Sequence, residues 1–520
     1  MKLLLTTLNA KYVHSNLALK YLWQEAAARF KHVRLQEFTI NNEADYVFCE
    51  LVQGDYDLAC FSCYVWNIEK TLILAENLKK ARPRCRLLLG GPEVSFEGER
   101  FLKDHPFVDF LIQGEGEAPF SAFLERLELL EQTGDANADF RDWDWGDWDW
   151  EDIPALAFRQ GDRIRVNPPD PAPRFDATPF PYEGLPWEED KVVYYESARG
   201  CPFRCAYCLS SVEKDVRPLP MERVKRELDY LIRKRPRQVK FIDRTFNYDR
   251  RRCNEILGFL MEKDNGFTNF HLEICGELLE EETLRLLSGA RPGLFQMEIG
   301  VQSTNPDTLE SINRGGDFAR LAENVGRLKA MGGIHLHLDL IAGLPYEDYL
   351  SFQNSFDDVY RLRPHQLQLG FLKLLKGSPL REKAAYYRYE FRRTAPYEVI
   401  SNAFLSAGGL VRLKMAEAVL DLYFNRGGFA KSLERAAFVL YQSPFAFYQE
   451  LGDFYYLKGF QHKSHKKEDL YRILRQFFTW KYRRDRGQEA LVFELLEEDL
   501  RDAMNPDAVK KFEKKGWELD

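Results

Sequence analysis

Ala198-Arg-Gly-Cys-Pro-Phe-Arg-Cys-Ala-Tyr-Cys208 decides how this chain is read. It follows the apolar run 192–196, which predicts a strand, so Cys201, Cys205 and Cys208 fall in one loop at that strand's carboxyl end. Their spacing lets three thiolates converge on one iron–sulfur cluster. Three protein ligands leave one iron of a four-iron cluster open, and a small molecule can bind there through amino and carboxylate groups. A zinc site is the alternative reading. It needs a fourth ligand, and the nearest later candidates are Cys253, Cys275 and His271.

Working outward, apolar runs at 239–243, 270–275, 295–301, 335–341 and 366–372 predict five more strands, all but the last followed by a helical segment. Six such strands suit a partial (β/α)6 barrel over residues 189–380. Toward the N-terminus, strands at 2–8, 58–64, 86–89 and 110–113, with a helix from about Leu17 to Phe30, predict a Rossmann-like parallel-sheet domain over 1–130. Ligands of such open sheets bind at the carboxyl edge. Residues 131–188 read as a linker with few packed elements, because an acidic, tryptophan-rich stretch at 142–150 is followed by prolines from Pro168 to Pro186. Beyond Ala395 the apolar positions Leu413, Ala416, Leu420 and Phe424 repeat at helical spacing, so 381–520 is expected to be an α-helical domain. The fold class is therefore α/β with a helical C-terminal domain.

Composition agrees with several packed cores. Apolar residues make up 45% of the 520 positions, and the formal charge of −8 leaves no basic footprint of the kind that binds duplex nucleic acid. The N-terminal run of three leucines is too short for a secretion signal, and no apolar stretch approaches a membrane span, so a cytoplasmic protein is expected. Nine cysteines, three of them within eight residues, argue against a secreted disulfide framework. The basic runs at 462–467 and 481–486 read as solvated helix faces rather than a phosphate or RNA site.

With these residues in view the chain resembles the radical S-adenosylmethionine (SAM) enzymes, whose C-x3-C-x2-C signature is matched by Cys201, Cys205 and Cys208. The resemblance continues in order through Phe241–Asn247, Glu298–Ser303 and Asp339–Pro345. It implies a [4Fe–4S] cluster on the three cysteines, reductive cleavage of SAM and a 5′-deoxyadenosyl radical that takes a hydrogen atom from substrate. It also implies that Tyr207 packs by the adenine, that Asp243, Thr245 and Asn247 stand where other members contact the methionine amine, that Gln302 and Ser303 meet the ribose, and that Gly343 lets the nucleoside approach. Glu273 and Glu298 are further ligand candidates at the barrel mouth.

The N-terminal sheet resembles the cobalamin-binding domains fused ahead of many such barrels, through Ser62-Cys-Tyr64, Gly90-Gly91 and the loop Gly114-Glu-Gly-Glu117. His14 lies where that family's cobalt ligand would lie, although Tyr12 and Leu17 replace its aspartate and glycine, so nothing evident in the sequence orients the imidazole. Together the two resemblances imply a cobalamin-dependent methyltransferase acting on an unactivated carbon, with the carboxyl edge of the sheet covering the barrel mouth. A small-molecule or peptide substrate and a reductant such as flavodoxin or ferredoxin would be its partners. The alternatives are a cobalamin-dependent rearrangement or cyclisation, and a non-catalytic cobalamin or iron–sulfur sensor. No individual catalytic residue is assigned, and the helical C-terminus resembles the extension of one branch of this family.

Overall fold

The computed structural model describes residues 1–133, 149–170, 174–212 and 215–518. Its first sheet has the order β2-β1-β3-β4-β5-β6-β7, formed by β1 (Lys2–Asn9), β2 (His32–Thr39), β3 (Leu58–Ser62), β4 (Arg86–Gly90), β5 (Phe110–Ile112), β6 (Leu156–Gln160) and β7 (Arg163–Val166). Alternate residues of one strand feed opposite cores. Leu3, Leu5, Leu58 and Cys60 pack under helices Leu17–Arg29 and Glu117–Thr133, whereas Leu4, Leu8, Ala59 and Phe61 pack under Ala44–Gln53 and Ile68–Ala81. Helices on both faces explain why β3 is buried throughout, is apolar up to its last residue Ser62, and reads so plainly in the sequence.

The segment expected to be a linker is partly built into this sheet. Strands β6 and β7 run antiparallel beyond β5, and Trp150 is buried against Phe110 and Phe123. Of the acidic, tryptophan-rich stretch, positions 142–148 lie outside the described residues.

The second sheet contains β8 (Val193–Tyr195), β11 (Gln238–Phe241), β12 (Asn269–Ile274), β13 (Phe295–Gln302), β14 (His335–Ala342) and β15 (Gln366–Phe371), all parallel and neighbours in sequence order. Between β8 and β11 the chain forms a short antiparallel pair, β9 (Ala198–Arg199) with β10 (Arg217–Pro218). Strands β8 and β15 are its two edges, so this is the open, partial barrel that the strand rhythm predicted. Helices Arg250–Glu262, Phe318–Met331 and Tyr349–Arg361 cover its outside. Each starts on an aspartate, Asp249, Asp317 or Asp348, whose side chain accepts an amide hydrogen of the first turn.

A hairpin of β16 (Glu390–Phe391) and β17 (Val399–Ser401) precedes the C-terminal helices, of which Ala407–Leu420 and Pro444–Lys458 pack closest to the barrel. Phe356 and Tyr360 of the last barrel helix meet Phe445 and Tyr448, and the two regions share one apolar core. Among the described residues no helix is long and apolar enough to cross a membrane.

Candidate functional site

The cysteine loop is pinned from both sides at its centre. Ala206 donates its amide to Ile312 O at 2.8 Å and accepts from Leu380 N at 2.8 Å. Cys201 and Cys205 are buried and Cys208 is half-buried, all three as free thiols. Thr245 Oγ1 lies 3.5 Å from Cys201 Sγ, and Arg314 Nη1 lies 3.8 Å from Cys205 Sγ. Tyr207 is half-buried beside Arg314 and Cys205, and desolvation of its hydroxyl raises the phenol above the usual range.

The donor set fits a cluster with three protein ligands. The candidates for a fourth zinc ligand are engaged elsewhere. Cys275 Sγ donates to Glu277 Oε2 at 3.0 Å, Cys253 is buried in the barrel's apolar core, and His271 Nε2 sits 2.9 Å from Glu298 Oε2. The zinc alternative therefore loses its ligand.

The residues expected around SAM divide into two groups. Gln302 occupies a left-handed backbone conformation, φ 70°, at a bulge between β13 and β14, and its Oε1 is buried without a hydrogen-bond partner among the described residues. Such an orphaned acceptor is costly unless something else bonds it, as a ribose hydroxyl would. Thr245 turns to the cysteine loop. Glu273 stays at the mouth, half-exposed and 3.5 Å from Lys240, its carboxyl pushed up by burial.

The others are committed to the scaffold. Asp243 accepts from Ser197 N at 2.7 Å and Ser197 Oγ at 2.5 Å, and burial pushes its carboxyl up to about 6. Asn247 exchanges two 2.9 Å hydrogen bonds with the backbone of Cys275. Ser303, just beyond the end of β13, faces outward and donates to Glu347 Oε1 at 2.5 Å. Glu298 is bound to Lys240 at 3.0 Å; burial raises its carboxyl, but His271 and Lys240 outweigh this and bring it to about 2. Gly343, φ 94°, gives its carbonyl to Tyr389 Oη and Asn402 Nδ2, both at 2.9 Å, and a side chain there would meet Leu372, Leu410 and Val399. A side chain there would face Leu410 and Val399 of the C-terminal region as well as Leu372.

In the N-terminal domain, His14 gains the support that its sequence neighbours lacked: Nδ1 lies 2.7 Å from the hydroxyl of Tyr194 on β8. Burial and the lysines Lys11, Lys240 and Lys191 lower its pKa, so the ring is neutral near pH 7, as a metal ligand must be. Ser62 is tied down by Thr7, Asn16 and Asn67, and Tyr64 stacks on Trp66 with centroids 4.4 Å apart. Gly91, φ 102°, serves the scaffold, because a Cβ there would lie 2.6 Å from Cys63 O. Gly90 and Gly114 differ: a side chain at Gly90 would meet nothing nearer than 3.8 Å, and at Gly114 nothing within 4 Å. Those two glycines therefore border open space.

Loops at the carboxyl edge of this sheet reach both edges of the open barrel. On the β8 side, beyond His14 and Tyr194, Arg199 binds Glu117 at 2.5 Å, Glu115 at 3.1 Å and Glu196 at 3.0 Å, while Arg217 also binds Glu115. The Arg199 guanidinium lies over Phe175 at 4.4 Å and Tyr21 at 5.6 Å. On the β15 side, Tyr397 Oη donates to the buried Glu93 at 2.7 Å, with Lys376 Nζ 3.9 Å away. Arg199 and Arg314 escaped the sequence reading. For Arg199 the signal was present, a basic residue beside the first cysteine facing the acidic loop 114–117.

Comparison with known proteins agrees with this architecture. The B12 binding domain matches residues 3–124, the radical SAM superfamily matches 195–359, and a family described as a protein of unknown function, DUF4080, matches 385–518. The cobalamin-dependent radical SAM methyltransferase TokK of Streptomyces tokunonensis is 26% identical over 365 residues, 65% of this chain and 50% of that protein. A 2-(S-pantetheinyl)-carbapenam-3-carboxylate methyltransferase of Streptantibioticus cattleyicolor is 27% identical over 355 residues, 64% of this chain and 49% of that one. The chain thus matches about half the length of these curated relatives. The structure of the cobalamin-dependent SAM radical enzyme OxsB with aqua-cobalamin and SAM bound superposes with a TM-score of 0.65 at 13% identity, covering 99% of this chain and 84% of that one, which is a likeness of fold.

Proposed function

We propose, from the premise that the chain belongs to the cobalamin-binding radical SAM proteins, that it is an enzyme that uses a [4Fe–4S] cluster, SAM and cobalamin to methylate an unactivated carbon. The observation that carries this reading is the joint placement of the two half-sites. The three-cysteine loop opens at the barrel mouth, and loops of the B12-binding domain reach both barrel edges over it.

When bound, the cluster supplies an electron for cleaving SAM, and cobalamin supplies a transferable methyl group. The chain's own residues do the rest. Cys201, Cys205 and Cys208 hold the cluster, Gln302 offers its buried acceptor to the nucleoside, and Gly90 and Gly114 make room for the corrin. The bridges at Tyr194 and Glu93 keep the two half-sites facing each other, which a reaction between groups on separate domains requires. The substrate is a small molecule or peptide, the electron comes from a flavodoxin or ferredoxin, and the reducing cytoplasm keeps the thiols available.

The test is anaerobic reconstitution with iron, sulfide and hydroxocobalamin, followed by SAM, a strong reductant and candidate substrates. 5′-Deoxyadenosine that appears with the native chain, and not after Cys201, Cys205 and Cys208 are all changed to Ala, supports the radical reading. A product heavier by one methylene supports methyl transfer. An unchanged mass with a new ring or skeleton would instead mean cyclisation or rearrangement, and a chain that assembles no cluster overturns the proposal.

A further inference from the structure

Arg314 stands just past the short helix Pro306–Ser311, outside every motif that pointed to the cysteine loop. Its guanidinium is buried beneath that loop. Nη1 is directed at Cys205 Sγ, 3.8 Å away, and Nη2 donates to Gly300 O on β13. Gly300 itself leaves room chiefly for Gln302, whose Nε2 would lie 2.1 Å from a Cβ there, while Nη2 of Arg314 would be in ordinary contact at 3.7 Å.

Arg314 forms no ion pair among the described residues. The nearest carboxylate, Glu277, instead accepts from the thiol of Cys275 at 3.0 Å. A guanidinium does not give up its proton, and a buried cation without a counter-charge is expensive. What surrounds this one is Cys205, Tyr207 and Cys275, neutral as the free protein, with the Glu277 carboxylate acting from beyond ion-pair distance. Ligation of the cysteine loop as thiolates therefore adds negative charge directly beside the guanidinium.

We propose that Arg314 sets the reduction potential of the cluster on Cys201, Cys205 and Cys208, by donating an N–H to the Cys205 sulfur and holding its positive charge beside the cluster. The inference rests on the reading of the cysteine loop given above and adds a role that none of its motifs contains. One-electron reduction by a low-potential donor adds one negative charge to the cluster. A fixed cation beside one sulfur stabilises the reduced form more than the oxidised form, and so raises the potential. The bond to Gly300 O keeps the fork from swinging toward solvent, which makes the effect a property of the fold. Arg314 is a positioning and electrostatic residue in this account, with no part in bond making.

The experiment is a potentiometric titration of the reconstituted full-length chain, with the reduced cluster followed by electron paramagnetic resonance and iron counted per chain. Arg314→Met removes charge and donor, Arg314→Gln keeps a donor, and Arg314→Lys keeps the charge without the fork. At a fixed potential the ratio of reduced to oxidised cluster should fall about tenfold in Arg314→Met, a midpoint about 59 mV lower for one electron. The Gln and Lys variants should fall between it and the native chain.

Arg314→Met with native iron content and an unchanged midpoint overturns the proposal. So does an unchanged midpoint with weakened SAM binding, which would assign the guanidinium to the SAM carboxylate. Loss of iron from both neutral variants also overturns it, since the residue would then serve assembly. A native chain that assembles no four-iron cluster is a separate result, and it overturns the proposed function itself.

Discussion

The two large sheets keep their chemistry in opposite places. In the N-terminal sheet, β3 is buried on both faces, and every candidate ligand contact lies at or just beyond the carboxyl end of a strand. In the barrel sheet the outer face packs helices, while the inner face carries Lys240, His271, Glu273, Glu298, His337 and Asp339, paired with one another. Barrel interiors are usually filled with branched apolar side chains. A sheet sandwiched between helices has only its edge left for function, whereas a curled, open sheet can use its hollow. The same βα rhythm thus supports two kinds of site, and the hydrophobic pattern of the strands tells them apart.

The contrast is broken most severely by substitutions at matched strand positions. Lys240 stands between Glu273 and Glu298, and Lys240→Met would remove the cation that bridges the two carboxylates, leaving Glu298 only His271. Removing one partner of such a buried network costs roughly 3–5 kcal/mol. Cys60, fully inside the first sheet, is a small apolar residue in effect, and Cys60→Val should cost less than about 1.5 kcal/mol. Urea unfolding of the full chain compares the two. A Lys240→Met cost no larger than that of Cys60→Val would mean that the barrel interior is wet enough to screen its charges.

The outer face of β13 sharpens the contrast through pH. Glu347 is fully buried between Ser303 and Ser355, and burial pushes its carboxyl up to about 7 from 4.5. The folded state therefore holds its proton more tightly than the unfolded state. Stability from this group is fully present below pH 4.5 and is lost as pH rises through 7, by about 3 kcal/mol in total. Glu347→Gln keeps the shape and a hydrogen-bonding amide without the titration. Its unfolding free energy should lack this fall between pH 4.5 and 7, and at pH 8 it should exceed that of the native chain.

These sites also show what the sequence could and could not convey. The cysteine loop was legible because its ligands are local, and the six barrel strands because their outward residues are apolar at every second position. Strand β2 was not, since as an edge strand it keeps charged residues such as Arg34 and Glu37. The hairpin of β6 and β7 was hidden in a stretch whose prolines suggested a linker. The different surroundings of Gln302 and Ser303 follow from a bulge and a positive φ at the end of β13, which no sequence pattern announces. The uses of Asn247, Glu298 and Gly343 depend on partners 28 to 59 positions away, at Cys275, Lys240 and Asn402. No local pattern contains such contacts, and Arg314 is the same case.

The smallest expected effects concern two glycines that look alike in sequence. Gly91 and Gly114 both adopt positive φ, 102° and 75°, in loops at the carboxyl edge of the first sheet. Gly91→Ala must fit a Cβ 2.6 Å from Cys63 O in addition to the backbone strain, so it should cost about 2 kcal/mol or more in stability. Gly114→Ala meets no atom within 4 Å and should cost only the backbone term, about 1 kcal/mol. If that open space is where the corrin arm lies, however, the added methyl group must weaken hydroxocobalamin binding in a spectrophotometric titration while leaving the fold nearly intact. The edge loop would then be a ligand surface with little structural duty, opposite in kind to the Cys63–Gly91 contact on the same edge. Unchanged binding in Gly114→Ala, with stability as expected, would move the corrin away from the 114–117 loop and leave Gly90 as the glycine that admits it.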